Sequence, residues 1–542
     1  MADHVVHTGV VTADLAQLMQ RRDTRFYRGF LGKLTAIIFL ALITSMTNGY
    51  DGSMMNGLQA VQYWQDYFGT PEGSLLGIFN AIQSIGGILA LPFVAFTCDK
   101  FGRRMTIFFG SCIMLVGVAI QTAAQNIGMF IAARGIIGFG LGFACAAAPL
   151  LITELAFPTH RGPLTSLYNS SWYLGSIVAA WATFGTFRIQ NDWSWRIPSL
   201  LQGLPSVLQV ALILTIPESP RWLMDKGREE AARKVLVKYH CGGDESDPLA
   251  AYEFEEIRNA LQIEKEANSS SSFKSLFVGK GNQRRMLVII AIAFFSQWSG
   301  NGLVSYYLTK VLIGIGITNP ETQTLINGIL NIYNYGTAIF GALMCDRIGR
   351  RPLFLISTAG MTVCFCIWTA CSAIYQKSAA EVDANDVPLH PNKSAGNAVL
   401  AMIFLFYTFY NLAMSPLLVA YTVEILPYKI RAKGLVMMNL AVNCALVFNQ
   451  YVNPVAMRAL EWKYYIVYCV FLAFEFVFCW FFIIETKNRS LEEISVLFDG
   501  EQVTEELKHR TERAELAEKE GALSPGFDED KKLGYGGVQH LE

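Results

Sequence analysis

The chain has 542 residues, of which 52% are hydrophobic and only 16% charged, with a mean hydropathy of +0.33. Soluble globular proteins carry about 25% charged residues, so this composition excludes a soluble multidomain enzyme, a disordered scaffold and a disulfide-rich secreted module. With 43 basic and 44 acidic residues the net charge is −1, and no basic surplus points to nucleic acid.

Residues 1–33 are polar and charged and read as a cytosolic tail without a cleaved signal peptide. Twelve stretches long enough to cross a bilayer follow, at 34–56, 75–97, 106–124, 129–151, 164–186, 197–216, 287–308, 324–345, 353–375, 398–422, 434–456 and 464–484. The segment 217–286 divides them into halves at 34–216 and 287–484. Its charged stretches at Arg228–Lys238 and Glu253–Lys265 predict helices, with Ser269–Ser272 as a linker. About 65 residues with few large apolar positions make a poor independent core, so this segment reads as an amphipathic platform under the spans. Residues 485–542 form a second polar tail. With the N-terminus inside, the inner loops carry 22 lysines and arginines and the outer loops 7, which places both termini in the cytosol. The Asn392-Lys-Ser triplet then falls in an outer loop and is the candidate glycosylation site.

The halves repeat each other. Asp99-Lys-Phe-Gly-Arg-Arg104 follows span two, and Asp346-Arg-Ile-Gly-Arg-Arg351 follows span eight. Glu154 and Arg161 stand seven apart after span four, as Glu424 and Arg431 do after span ten. Pro217-Glu-Ser-Pro-Arg221 follows span six and Glu485-Thr-Lys487 follows span twelve. A parallel repeat of two six-helix halves is one way secondary transporters are built. The fold class is therefore an all-α membrane protein of twelve transmembrane helices, with a cytosolic helical linker between the halves.

Over roughly 33–497 these motifs identify the chain as resembling the sugar porters of the major facilitator superfamily. Within that family it looks most like the fungal lactose and cellodextrin permeases, through Tyr168–Ser176, Gln297-Trp-Ser-Gly-Asn301 and Asn449–Pro454. The resemblance implies a cytosolic gate made of Asp99, Arg103, Arg104, Glu154 and Arg161 in one half and Asp346, Arg350, Arg351, Glu424 and Arg431 in the other. Carboxylate–guanidinium pairs are directional, and formed between the halves they would hold the inner mouth shut.

Asp51 lies inside the first span, where an ionised carboxylate costs roughly 2.5–3.5 kcal/mol to insert. Arg134, at the head of a glycine-rich run in span four, is the expected partner. An aspartate that alternates between a protonated state and an arginine-paired state is a proton-coupling device. The resemblance assigns that role to the same two positions. Glu475 in span twelve has no evident partner and reads as interfacial or structural.

Sugar hydroxyls call for neutral amides, and sugar ring faces call for Trp or Tyr. The expected binding residues are Asn169, Gln297, Asn301, Tyr306, Asn334, Tyr421 and Asn443. Trp298, Tyr307, Asn331, Tyr333, Asn439, Asn449, Gln450 and Asn453 belong to the same polar, aromatic set. Of these, Gln297, Asn334 and Asn169 sit at family ligand positions. Elsewhere the chain departs from the hexose porters: Ser296 replaces a glutamine, Gly302 an asparagine and Val419 a tryptophan. Smaller residues at those positions imply a roomier pocket, which fits a disaccharide.

The expected function is a monomeric proton–disaccharide symporter of the plasma membrane, importing lactose or cellobiose by alternating access. The alternatives are an exporter of another polyhydroxylated or glycosylated compound, or a sugar sensor that signals without transport. No enzyme, cofactor or metal is expected. The chain has no phosphate loop, and its seven histidines lie outside the spans with no nucleophile or ligand constellation. The partners are the sugar, the proton and the bilayer.

Overall fold

The structure is a computed structural model that describes residues 29–270, 273–380, 390–487, 494 and 497–498, apart from the side chains of 162, 166, 263–270, 346, 428, 429 and 432. The first half is α1 (Gly29–Leu58), the short α2 (Gln62–Tyr67), α3 (Gly73–Phe101), α4 (Arg103–Thr122), α5 (Ile127–Leu155), α6 (Arg161–Thr186) and the broken pair α7 (Trp193–Leu201) and α8 (Leu204–Leu212). Three short helices then make the linker: α9 (Pro220–Asp225), α10 (Glu229–His240) and α11 (Pro248–Ser270). The second half is the broken pair α12 (Lys280–Trp298) and α13 (Asn301–Ile313), followed by α14 (Pro320–Ile348), α15 (Arg350–Ser378), α16 (Lys393–Ile425), α17 (Tyr428–Leu460) and α18 (Tyr464–Phe482).

These helices account for all twelve expected spans, but not with equal hydropathy. Nine segments of the described residues are long and apolar enough to cross a membrane, and the last of them, Lys433–Phe482, contains most of α17 and all of α18. The two spans missing from that set are α6 and α14. They carry Asn169, Ser170 and Ser171, and Asn327, Asn331 and Asn334, respectively. Their polarity suits helices that face a cavity inside the bundle and not lipid.

Both halves close their linker-side ends with the same construction. The Gly-Arg-Arg turn lets one long helix end and the next begin without a loop. Its glycine has φ of +93° at Gly102 and +106° at Gly349, with ψ near 170° in each, a region essentially restricted to glycine. The freed N–H groups that follow are capped by a glutamate from the end of the half. Glu218 accepts from the backbone N–H of Arg103 at 3.1 Å and of Arg104 at 3.1 Å, and Glu485 accepts from Arg350 at 3.0 Å and Arg351 at 3.1 Å. Burial raises the Glu218 carboxyl above the ordinary carboxylate value, while the N–H donors from Ser219, Arg104 and Arg103 and the Arg104 charge pull the other way. The first arginine of each turn pairs with the glutamate at the end of the neighbouring helix, Arg103 with Glu154 at 2.9 Å and Arg350 with Glu424 at 2.9 Å.

The linker is anchored to the ends of α3 and α5. Trp222 donates to the Asp99 carbonyl at 2.9 Å. The buried His240 ring bridges the Glu253 carboxylate at 2.6 Å and the Leu155 carbonyl at 3.1 Å. Between α1 and α6 the backbones nearly touch. A Cβ on Gly49 would lie 1.8 Å from the Trp172 carbonyl oxygen, and one on Gly175 would lie 1.9 Å from that of Met46.

Alanine at Gly102 would place a Cβ 2.4 Å from Glu218 Oε2 in a strained backbone. Gly102→Ala should therefore destabilise the protein by about 1–3 kcal/mol, read as a lower thermal unfolding midpoint in detergent. An unchanged midpoint would show that the capped turn does not require glycine.

Candidate functional site

The two halves meet around one cavity of about 300 Å³, at the low end of the range for ligand sites. It is lined from α1 by Asn48, Ser53 and Asn56, from α6 by Asn169, Trp172 and Tyr173, and from α12 and α13 by Gln297, Asn301 and Tyr306. α14 adds Asn327, Asn331 and Asn334, and α16 adds Tyr407 and Tyr410. Among the described residues no carboxylate, lysine or arginine lines it, so the wall they form is uncharged, amide-rich and aromatic. Three buried amide atoms of lining residues, Asn301 Oδ1, Asn327 Nδ2 and Asn334 Oδ1, have no hydrogen-bond partner among the described residues. Buried polar atoms are rarely left so, and these belong to residues that line the cavity.

The break between α12 and α13 positions two of the lining residues. Helix α12 ends at Trp298, and Gly300, with φ of +102°, turns the chain into α13. Gln297 and Asn301 therefore flank the break, and each presents its amide to the cavity. Asn301 donates to the Tyr410 hydroxyl at 3.1 Å, and the Tyr410 hydroxyl donates to the Ser296 carbonyl at 2.7 Å.

Of the seven expected binding residues, Asn169, Gln297, Asn301, Tyr306 and Asn334 line the cavity; Tyr421 and Asn443 do not. Tyr421 is buried near the linker-side end of α16, where its hydroxyl donates to the Ile484 carbonyl at 3.0 Å, accepts from the Ile484 N–H at 2.9 Å, and its ring packs edge-on against Phe354. Asn443 turns back on its own helix and donates to the Asn439 carbonyl at 2.8 Å. The other span-eleven amides tie helices together: Asn449 donates to the Gln297 carbonyl, Gln450 accepts from Ser84, and Asn453 accepts from Tyr464 and Tyr468. Trp298 faces outward onto Phe448, and Tyr333 pairs with Thr408. Gly302 opens no extra room, because a Cβ there would lie 2.2 Å from Asn449 Nδ2. Asn56, Asn327, Tyr173 and Tyr407 are lining residues that sequence reasoning passed over. Their signal was the low hydropathy of the helix in α14 and a lone Asn near the end of α1.

Behind the α1 wall lies a buried ion pair. Arg134 donates from Nη1 to Asp51 Oδ1 at 3.2 Å and from Nη2 to Oδ2 at 3.1 Å, and the two residues are 2% and 1% exposed. The guanidinium is held further by the Phe79 carbonyl at 2.6 Å and by Gln83 at 2.9 Å. A third donor reaches the carboxylate: Gln202 Nε2, at 2.5 Å from Asp51 Oδ1, from the break between α7 and α8. Gly52 and Ser53, the next two residues after Asp51, line the cavity.

The expected gate residues group differently from a latch across the halves. Arg103–Glu154 and Arg350–Glu424 each close within one half, because each arginine opens the helix that packs beside the one ending in its glutamate. Arg104 and Arg351 donate to the backbone carbonyls of Ile216 and Trp480, and Arg161 lies 3.7 Å from Glu253 of the linker. Arg431 donates to the Leu426 carbonyl, and Asp99 is exposed. The Asp346 side chain lies outside the described residues. Contacts that do cross between the halves are found at mid-depth and toward the face opposite the linker. Asn56 bonds the Val304 carbonyl and the Leu308 N–H, Gln59 the Tyr306 carbonyl, Asn80 the Tyr307 hydroxyl, and Tyr173 the Asn411 amide. The ion pairs Glu72–Lys310 and Arg188–Glu321 cap that face. Asn392, on the same face, is exposed and caps the N-terminus of α16.

Residues 37–498 match the family model described as "Sugar (and other) transporter". The chain belongs to that family. The high-affinity glucose transporter of Kluyveromyces lactis is 28% identical over 484 residues, covering 87% of each chain. The MFS-type transporter criB of Aspergillus cristatus is 27% identical over 463 residues, covering 85% of this chain and 93% of its own. Among solved structures, the inward-open conformation of the xylose transporter XylE from E. coli superposes with a TM-score of 0.70 at 23% identity, covering 86% of this chain and all of that one. The fold is accordingly that of the major facilitator superfamily, and the chain is a multi-pass membrane transporter.

Gln202→Leu would leave the Asp51 carboxylate with arginine alone. The loss of a hydrogen bond to a charged group should cost roughly 1.5–3 kcal/mol, measured as a fall in the thermal unfolding midpoint. A midpoint equal to wild type would exclude Gln202 as a donor to Asp51.

Proposed function

We propose that this protein is a proton-coupled sugar symporter that imports its substrate across the plasma membrane by alternating access, as a monomer. The linker and both termini lie in the cytosol. The observation that carries the reading is an uncharged, amide-rich cavity with a buried, bidentate Asp51–Arg134 pair directly behind its α1 wall.

A neutral cavity selects a neutral polyol, and the unpartnered atoms Asn301 Oδ1, Asn327 Nδ2 and Asn334 Oδ1 supply directional partners for its hydroxyls while Trp172 and Tyr306 offer ring faces. The proton enters through Asp51. When ionised, Asp51 holds Arg134 and fastens α1 to α5. When protonated it loses the charge that holds the arginine, and α1 is released from that tie. Because the next two residues line the cavity, the proton's arrival changes the wall that the sugar touches. Closure on the face opposite the linker, with the gate pairs formed inside each half, fits the inward-facing stage of such a cycle.

The substrate we propose is a disaccharide of the lactose or cellobiose type, on the family departures at Ser296 and Val419. A single hexose is the second reading. The cavity volume near 300 Å³ and the place of Gly302 filled by Asn449 favour it, as does the similarity to high-affinity glucose transporters of Kluyveromyces lactis and Candida albicans.

Uptake of radiolabelled lactose, cellobiose and glucose into transporter-null yeast separates these readings. Accumulation of one sugar should be abolished by a protonophore, and Asp51→Asn should lower it by at least about tenfold, the equivalent of 1.4 kcal/mol. Uptake indifferent to both treatments would leave a passive facilitator. No uptake of any of the three would move the assignment to an exporter or a sensor.

In the same assay Asn301→Ala and Asn334→Ala should each raise the half-saturating sugar concentration several-fold, at about 1 kcal/mol per lost hydrogen bond. Tyr421→Phe and Asn443→Ala should leave it unchanged. Equal effects of all four would contradict the placement of the cavity.

A further inference from the structure

Glu475 lies in the middle of α18, in the second half, far from the Asp51–Arg134 pair along the chain. It is fully buried. The side chains around it are apolar or weakly polar: Phe295 packs on Phe471, Phe474 and Phe478, and the other ionisable groups facing it are the Tyr410 hydroxyl on α16 and the Cys479 thiol on its own helix. Among the described residues no arginine, lysine or histidine lies within ion-pair distance of it. Its one hydrogen-bond partner among them is Ser299, the residue at which α12 breaks. Ser299 Oγ is 3.1 Å from Glu475 Oε1 and 3.0 Å from Oε2, and it also bonds the Phe295 carbonyl one turn back.

Counting hydrogens decides the state of this cluster. Ser299 has a single hydroxyl proton and faces three oxygens, two from Glu475 and one from Phe295. If Glu475 is ionised, that one proton has to serve a bare carboxylate, and the cost of holding an uncompensated charge in an apolar interior is far larger than one hydroxyl returns. If Glu475 carries a proton, the account closes: the acid O–H donates to Ser299 Oγ, and the serine O–H donates to the Phe295 carbonyl. The chain of two hydrogen bonds then ties α18 to the last turn of α12.

We propose that Glu475 is held as a neutral carboxylic acid throughout the transport cycle and is a positioning residue for the cavity. It pins Ser299, and through Ser299 it fixes the break that turns Gln297 and Asn301 into the site. Its role differs from that of Asp51. Asp51 has an arginine to pair with when it loses its proton, and Glu475 has none. The two acids buried within the spans divide the work, Asp51 exchanging a proton and Glu475 keeping it. The effect on the cavity rests on the proposed sugar-transport reading; the protonation state does not.

The test uses the full-length protein in lipid, with Glu475→Gln, Glu475→Leu and Ser299→Ala. The infrared difference spectrum between wild type and Glu475→Gln should contain the carbonyl stretch of a protonated carboxylic acid, constant from mildly acidic to mildly basic buffer. Glutamine can donate to Ser299 as the acid does, so Glu475→Gln should keep the wild-type unfolding midpoint, half-saturating sugar concentration and pH profile of uptake. Glu475→Leu and Ser299→Ala should lower the midpoint and raise the half-saturating concentration several-fold with little change in the maximal rate. Carboxylate bands in place of the acid band would overturn the proposal, as would a Glu475→Gln protein with an altered pH profile or a Glu475→Leu protein indistinguishable from wild type. Should wild type take up none of the sugars tried, the transport reading fails, while the infrared band and the order of unfolding midpoints still decide the protonation state and the pin.

Discussion

The structure depends on one buried ion pair. Asp51 and Arg134 are withdrawn from water inside a membrane-spanning bundle, where two unpaired charges would not be tolerated. The bidentate geometry, the amide of Gln202 and the carbonyl of Phe79 together satisfy the charges that burial would otherwise penalise. Three helices and one helix break contribute to this cluster: α1, α3, α5 and the break after α7. Removing one partner would strand the other charge in the bundle. Adding a proton neutralises one partner and leaves the arginine to its carbonyl and amide acceptors. In the proposed cycle, a pair that is stable when closed and is released by a proton drives the conformational change.

Around that pair the halves are built to be rigid internally and separable from each other. Each half locks its linker-side end with a glycine turn, a capping glutamate and an arginine–glutamate pair, and all of these bonds stay within the half. The contacts between halves are of another kind. They are side-chain hydrogen bonds to backbone or amide partners, such as Asn56 with Val304 and Leu308, and partly exposed ion pairs such as Glu72–Lys310. Such contacts are individually worth little, so they can be exchanged for a different set when the other face closes. Intra-half bracing also explains why, among the described residues, Arg103 and Arg350 each meet a glutamate of their own half: the same charges serve the integrity of that half.

The fold was legible in the sequence because membrane spanning is enforced by length and hydropathy, and the repeat was legible because its motifs recur at matching helix ends. The Asp51–Arg134 pair was legible because charges within apolar runs are few and need partners. Side-chain direction was harder to read. The amides of span eleven have the composition of a binding wall, yet Asn449, Gln450 and Asn453 bond to neighbouring helices and Asn443 to its own, and the cavity meets α17 at Leu446. Tyr421 reads as a ring for a sugar to stack on, but one turn of helix places it beside Ile484. Conversely, Asn56 and Asn327 gave little sequence signal, because a lone amide near a helix end has many ordinary uses. Glu475 looked partnerless along the chain because its partner is a serine on a helix 176 positions away.

The most direct test of the central claim is a comparison of two fluxes in proteoliposomes, for wild type and Asp51→Asn, with whichever labelled sugar the yeast assay identifies. One is exchange of sugar at equal concentrations on both sides, and the other is accumulation driven by an imposed pH gradient. Proton coupling through Asp51 predicts that the variant still exchanges sugar but no longer accumulates it. Gradient-driven accumulation by Asp51→Asn at the wild-type level would contradict the account, and would place the coupling proton on another group.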